Sequence, residues 1–225
     1  MTKIDLITGF LGAGKTTFIT YYARYLMAKG LRICILENDF GAVNIDMMIL
    51  QELRCDSCQL EMIAGGCDAD CHRRRFKTKL IALGMEGLDR VIVEPSGIFD
   101  VDEFFDVLSE APLNELYEIG SVICVMDART PWVHSEDTDY LMVSQSANAG
   151  ILLLRQAREA GQKQVQKVLQ SLADAMARFS CDVPLQSRIL TRDWGELTKE
   201  DFGEIERTGY RLCDHVKRPV QLENG

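Results

Sequence analysis

The sequence predicts an α/β fold, a three-layer, doubly wound and mainly parallel sheet, on three observations. Short β-rich apolar runs alternate with segments of helical periodicity along most of the chain. Those runs are almost continuously apolar, as strands covered on both faces must be, whereas a half-exposed strand alternates. The first of them leads into a glycine-rich turn and then a helical pattern, the order of a strand–loop–helix unit. With 225 residues, 47% of them apolar, the chain is long enough for one well-filled domain and too short for two large ones. The expected organisation is a single domain over residues 1–217, with a cysteine-rich insertion at about 52–75 and a tail at 218–225.

The first run, Ile4-Asp5-Leu6-Ile7-Thr8, enters Gly9-Phe10-Leu11-Gly12-Ala13-Gly14-Lys15-Thr16-Thr17, a complete G-x-x-x-x-G-K-[ST] phosphate loop. Its glycines let successive backbone N–H groups curl round phosphate oxygens, Lys15 adds a mobile positive charge, and the Thr16 hydroxyl is placed to hold Mg2+. Gly12, Ala13, Gly14, Lys15, Thr16 and Thr17 are therefore the expected contacts to a nucleoside triphosphate. The helix that follows shows Phe18, Tyr21, Tyr22, Tyr25 and Leu26 as one buried face. Further strands are expected at Arg32 to Leu36, Arg90 to Val93, Ser121 to Met126 and Ile151 to Leu154. A long amphipathic helix covers Gln162 to Phe179, a last strand lies near Leu185 to Leu190, and a helix starts at about Thr198.

In such a sheet each strand ending delivers chemistry to the crevice at the carboxyl edge. The second strand ends in Glu37-Asn38-Asp39-Phe40-Gly41, the third in Glu94-Pro95-Ser96-Gly97 and the fourth in Asp127. Asp39 and Glu94 read as carboxylates opposite the phosphate loop, where a Mg2+-triphosphate needs acidic partners and a group to place water. Asp127 reads as ordinary turn chemistry.

Composition excludes several classes. The formal charge of -9 argues against general nucleic-acid binding, which needs basic surface. No apolar run is long enough for a membrane span, and the first residues lack the order of a signal peptide, so a cytoplasmic protein is expected. There the eight cysteines are thiols or metal ligands rather than disulfides. Cys34 and Cys124 sit in apolar strands and read as core, and Cys181, Cys213 and His215 as structural. Cys55, Cys58, Cys67 and Cys71 instead lie among Asp, Ser and Gly in a C-x2-C-x8-C-x3-C pattern, enough ligands for zinc or an iron–sulfur cluster. For the four to meet, the chain between the pairs must run out through Leu60, Met62 and Ile63 and turn back at Gly65-Gly66, and Asp56, Asp68 and Asp70 would raise the thiol pKa values. The basic run His72-Arg73-Arg74-Arg75-Phe76-Lys77-Thr78-Lys79 reads as a solvated helix face, with docking of an acidic partner as the alternative.

Five motifs in order resemble the CobW, UreG and HypB family of metal-handling P-loop GTPases: I-T-G-F-L-G-A-G-K-T-T, Asn38-Asp39-Phe40-Gly41 with Asn44-Ile45-Asp46, Gly66-Cys67, Glu94-Pro95-Ser96-Gly97, and Val125-Met126-Asp127-Ala128. The resemblance covers roughly residues 3 to 154. It implies a P-loop NTPase domain in which Asp39 stands near the magnesium, Glu94 is the Walker B carboxylate, the Gly97 N–H senses a γ-phosphate and Cys67 binds a cargo metal. It also implies a nucleotide-dependent homodimer that delivers metal to a client metalloprotein. Three departures stand beside it. Of the family's G-C-x-C-C cysteines only Cys67 is present. The N-K-x-D guanine reader is replaced by Arg155-Gln156-Ala157-Arg158 after the run Ile151 to Leu154, and an Arg cannot accept the guanine N–H groups, so GTP and ATP both remain candidate ligands. The further C-terminal domain usual in CobW proteins has no room. Thr191-Arg192-Asp193-Trp194 offers a substitute reader, with Asp193 on the base edge and Trp194 stacked on the ring; the plainer reading is a turn with a packing tryptophan.

The expectation is thus Mg2+-dependent triphosphate hydrolysis coupled to metal binding and delivery, with Lys15, Asp39 and Glu94 as the catalytic group. The alternatives are a nucleotide-gated metal or redox sensor with little turnover and an ATP-dependent activator carrying an iron–sulfur cluster.

Overall fold

The structure is a computed structural model of the full chain, and its description covers residues 1–39, 45–64, 69–95, 101–129, 135–181 and 189–211, with the side chains of 38, 39, 45–47, 64 and 69 left aside. Seven strands form one sheet: β1 (Thr2–Thr8), β2 (Ile33–Asp39), β3 (Cys58–Ala64), β4 (Arg90–Pro95), β5 (Tyr117–Asp127), β6 (Ile151–Arg155) and β7 (Ile189–Leu190). Their spatial order is β3-β2-β4-β1-β5-β6-β7 and every neighbouring pair is parallel. The helices are α1 (Lys15–Ala28), α2 (Ile45–Leu50), α3 (Ala69–Gly84), α4 (Val101–Ser109), α5 (Leu113–Leu116), α6 (Glu136–Ala147), α7 (Ala157–Ala160), α8 (Gln162–Arg178) and α9 (Lys199–Glu206).

The central runs of the inner strands are largely apolar because both faces are covered. On one face Ile7, Ile33, Ile35, Ile92, Ile123 and Val125 pack against α1, with Trp194, Phe202 and Ile205 closing that layer. On the other Leu6, Leu36, Val91, Val93 and Val122 meet Phe76 and Leu80 of α3, Phe104 and Val107 of α4, Val143 of α6 and Leu172 of α8. Successive residues alternate between the layers, as the period of a strand requires. The expected α1 stripe holds for Phe18, Tyr22 and Leu26, which are fully buried, while Tyr21 is partly exposed. The helix expected to start at about Thr198 begins there with a capping box, Thr198 and Asp201 each bonding the other's backbone.

Two expectations change. Residues 52–75 are no insertion: they carry β3, an edge strand of the sheet, and the start of α3, which packs on it. Of the strand expected near Leu185 to Leu190 only Ile189–Leu190 lies within the described residues. Residues 212–225, with Cys213, His215 and the expected tail, lie outside them.

One polar cluster is built into the interior. Asp5, in the middle of β1 and fully buried, accepts from Arg90 Nη1 at 2.6 Å, from the Tyr22 hydroxyl at 2.9 Å and from the Ser121 backbone N–H at 2.7 Å. Arg90 also reaches Glu206 at 3.4 Å, and Glu206 accepts from Lys29 and Tyr25, so the network ties α9 to the sheet and to α1. Desolvation pushes the Asp5 carboxyl up despite Arg90, the signature of a charge that burial penalises and one partner sustains. A side chain at Gly120 would lie 2.2 Å from Asp5 Oδ1, so the approach of the Ser121 N–H depends on that glycine. Replacing Asp5→Asn removes the charge opposite a buried guanidinium and should cost about 3–5 kcal/mol of unfolding free energy, read by urea denaturation. Glu206→Gln, at the partly exposed end of the same network, should cost less.

Candidate functional site

The loop between β1 and α1 closes over the carboxyl edge of the sheet. Gly9, Gly12 and Gly14 all have positive φ, at 134°, 77° and 94°, which a side chain would strain. A Cβ at Gly9 would fall 2.1 Å from the Val125 carbonyl oxygen, so the loop can lie against the end of β5 only without one. A Cβ at Gly12 would meet nothing within 4 Å, which leaves the outer side of the loop open to a ligand. The Ala13 N–H donates to the Phe10 carbonyl at 3.1 Å and fixes the curl, and Lys15 and Thr16 open α1.

Three of the expected residues converge. The Thr16 hydroxyl donates to Glu94 Oε1 at 3.1 Å, and Lys15 Nζ lies 3.9 Å from the same oxygen and 3.3 Å from the Phe10 carbonyl. All three side chains are at least nine-tenths buried. The β1–β4 pairing is what brings Glu94 beside the loop, since β4 is the strand next to β1. The donor set is oxygen-rich and hard, a hydroxyl and a carboxylate beside an ammonium group, and it fits Mg2+ with a polyphosphate. Gly12, Ala13 and Gly14 complete the loop around it, and Thr17 is exposed at its rim.

Glu37 belongs to the same place and was not singled out from the sequence. It is buried on β2, directly in register with Glu94 on β4, and both stand on the α1 side of the sheet. A charged residue directly after the apolar run Ile33-Cys34-Ile35-Leu36 was the signal. Asp39 ends β2, paired with Ala64 of β3, so its backbone stands at the carboxyl edge. Gly97 lies outside the described residues. Asp127 accepts the Arg129 N–H at 2.8 Å and closes a turn, as expected of it.

On the side where a base would lie, the loops after β6 and β7 are joined. Asp193 Oδ1 accepts the backbone N–H of Gln156 at 3.0 Å, and Gln156 holds a left-handed backbone at φ 55°. Trp194 is buried and sits edge-on to Phe18 with ring centroids 5.4 Å apart, so its place is the packing one, and a ring held there is not a stacking platform for a base. Arg155, unforeseen, lies across the phosphate loop: a Cβ on Gly14 would come within 3.0 Å of its Cδ and Nη1.

Among the described residues, Cys55 and Cys58 do not come together with Cys71. Cys58 begins β3 and is wholly buried on the α1 side with Leu50, Leu53 and Ile33, while Cys71 lies in the first turns of α3, on the opposite face of the sheet. β3 runs through Leu60, Met62 and Ile63 beside β2, as expected, and the return expected at Gly65-Gly66 lies outside the described residues. Lys79 of α3 bonds Glu61 of β3 at 2.7 Å, so Cys71, two helical turns earlier, stands beyond Glu61 toward the carboxyl edge and Cys58 three residues behind it. The two are separated by about 20 Å along the sheet. An iron–sulfur cluster on the four thiols loses its ligand set by the same geometry, and among the described residues no group of three or more His, Cys, Asp or Glu is placed to hold a metal. Cys67 lies outside the described residues, between the carboxyl end of β3 and the start of α3. The Cys55 thiol is lowered, not raised: hydrogen bonds with Ser57 outweigh the Asp56 charge. The basic run on α3 is partly neutralised within the chain, Arg73 and Lys77 on Glu110 and Lys79 on Glu61, which suits the solvated face.

Comparison with known proteins agrees with this geometry. The zinc chaperone YjiA of Escherichia coli (strain K12) is 29% identical over 95% of this chain and 64% of its own length. The zinc chaperone YeiR of the same organism is 31% identical over 57% of this chain and 38% of its own. This chain therefore spans less than two thirds of either relative. The crystal structure of HypB from Helicobacter pylori in complex with nickel superposes with a TM-score of 0.54 at 15% identity, over 91% of this chain and 84% of that one, and so shares the fold. Residues 3–180 match the model of the CobW/HypB/UreG nucleotide-binding domain, and the chain belongs to that family.

Proposed function

We propose that this chain binds and hydrolyses a nucleoside triphosphate at the carboxyl edge of its sheet and couples that cycle to binding and delivery of a transition metal, zinc being the first candidate. The observation that carries the reading is the meeting of Lys15, Thr16 and Glu94 around one carboxylate oxygen beneath an open phosphate loop. Thr16 and Glu94 are the residues that would hold Mg2+, which when bound supplies charge neutralisation at the phosphate oxygens. Lys15 swings from the Phe10 carbonyl to the terminal phosphate, exchanging a neutral acceptor for a charged one. The loop's N–H groups orient the β-phosphate, and a carboxylate at the end of β2, Asp39 or Glu37, orients the attacking water. Burial of the site keeps these charges effective, because water does not screen them.

The metal half of the proposal rests on position and kinship. Cys71 lies in the first turns of α3, at the same edge as the phosphate loop, Cys67 precedes it by four residues in sequence, and the relatives YjiA and YeiR are zinc chaperones. A metal held there is within reach of segments that a γ-phosphate orders, so hydrolysis can change its affinity. With two thiols rather than four, the ligand set is completed by other groups at that edge or by a second copy of the chain, with a client metalloprotein as the receiver.

Lys15→Ala should weaken triphosphate binding about tenfold to a hundredfold, the worth of one charge-assisted contact, and abolish turnover. Titration with a fluorescent nucleotide and a thermal melt check it: the affinity must fall while the melting temperature stays. An unchanged affinity removes the phosphate-loop reading.

Base preference should be loose. The place of the family's guanine-reading carboxylate after β6 is taken by Arg158, and Asp193 already spends one oxygen on the Gln156 N–H, so GTP should be favoured over ATP by less than about a thousandfold, against the roughly 10,000-fold or more that a dedicated hydrogen-bonding reader supplies. Competition between the two nucleotides measures the ratio. A larger preference assigns guanine reading to the remaining oxygen of Asp193.

For the metal, Cys67→Ser should lower the zinc retained after anaerobic purification, while Cys55→Ser leaves it unchanged. Elemental analysis of the two variants decides. Loss of zinc from Cys55→Ser would reinstate a site at the far end of β3.

A further inference from the structure

The geometry points to a redox-active dithiol at Cys55 and Cys58, closed to a disulfide by exchange with a low-molecular-weight disulfide. The site lies at the amino edge of the sheet, away from the phosphate loop, and its chemistry is independent of the proposed metal delivery.

The turn Cys55-Asp56-Ser57-Cys58 makes the two cysteines direct partners. The Cys55 N–H donates to the Cys58 carbonyl at 3.1 Å and the Cys58 N–H to the Cys55 carbonyl at 3.1 Å, an antiparallel bridge across a two-residue turn. Residues opposed in this way have Cα atoms about 5.5 Å apart, inside the disulfide range of about 4.4–6.8 Å, and project their side chains to the same face. The contacts bear that out. Cys55 Sγ lies 3.8 Å from Met27 Sδ of α1, and Cys58 packs into the cluster formed by the α1 layer. The turn is also anchored, since its Ser57 carbonyl accepts the Ile33 N–H of β2 at 2.9 Å.

The two thiols divide the work that exchange requires. Cys55 is exposed, and the Ser57 hydroxyl 3.2 Å from its sulfur stabilises the thiolate and lowers its pKa. Cys58 is fully buried, and desolvation pushes its thiol up to about 12. An accessible thiolate attacks, and a shielded thiol resolves. In the first step the Cys55 thiolate attacks one sulfur of a disulfide R–S–S–R; the R–S bond to Cys55 forms, the original S–S bond breaks, and R–S⁻ leaves and takes up a proton. In the second the Cys58 thiol gives up its proton, attacks Cys55 Sγ and expels the second R–S⁻, which is protonated in turn. Two protein thiols are oxidised, one external disulfide is reduced to two thiols, and no other co-reactant enters.

The test uses the full chain, purified reduced and then equilibrated with mixtures of oxidised and reduced glutathione. Cleavage after Glu52 and Glu61 releases residues 53–61, which hold only these two cysteines. The expected result is loss of two hydrogens' mass from that peptide, reversed by added reduced glutathione. Cys58→Ala should trap a glutathione adduct on Cys55. Cys55→Ser should cut alkylation of the peptide by iodoacetamide about tenfold or more in the folded protein, because the buried thiol alone remains. Two free thiols after equilibration with oxidised glutathione alone would overturn the proposal. So would an unmodified Cys55 in Cys58→Ala, or a peptide whose thiols are protected only until a zinc chelator is added, which would make the pair a metal site.

Discussion

Strand direction governs what this molecule can bring together. All seven strands run the same way, so everything that follows a strand gathers at one edge and everything that precedes it at the other. A strand of seven residues then separates its two flanks by about 20 Å. The phosphate loop after β1, Glu94 near the end of β4 and the turn after β6 meet because all three are carboxyl-side features. The same constraint parts the cysteines. Spacing along the chain had brought Cys55 and Cys58 close to Cys71, but the residues from Cys58 to Ala64 are spent on crossing the sheet.

What was legible in the sequence was whatever announces itself locally. The phosphate loop and the five inner strands are each continuous in sequence, and their apolar runs report burial on both faces without reference to any partner. β3 was illegible as a sheet strand because it is an edge: Gln59 and Glu61 interrupt the apolar run where solvent and Lys79 reach it. α6 was missed for the opposite reason. It buries Ser144, Gln145 and Ser146 together with Met142 and Val143, so it carries no apolar stripe to detect. The Asp5–Arg90–Glu206 network joins residues more than 80 positions apart and leaves no trace in any one segment. In the site, Lys15, Thr16 and Glu94 were readable from motif and strand ending, while Arg155 over Gly14 and the Asp193 bond to Gln156 emerge only when β6, β7 and the loop are side by side.

The departures from the family pattern become coherent in this light. The guanine-reading carboxylate of the N-K-x-D motif stands after β6, where this chain has Arg158, while Arg155, three residues earlier, lies over the phosphate loop. A guanidinium in that position adds positive charge where phosphate and ribose approach and offers nothing to the guanine N–H groups. Under the proposed function the loop and Arg155 would act on phosphate, and base selectivity would rest on what Asp193 can still accept.

The two ends of the sheet hold different chemistries, and α1 is the element common to both. Its first residues, Lys15 and Thr16, belong to the phosphate site, and Met27 near its last turn touches Cys55. A helix of 14 residues is about 21 Å long and does not bend to carry a signal. Phe18, Tyr22, Tyr25, Phe202 and Trp194 pack ring upon ring along its length, which resists displacement of one end alone. Whatever passes between phosphate occupancy and the thiol turn must move α1 as a body against that stack and against the Tyr22–Asp5 bond beneath it. The buried ion network thus does more than tie α9 to the sheet: by holding Tyr22 it fixes the register of the one helix on which both sites depend.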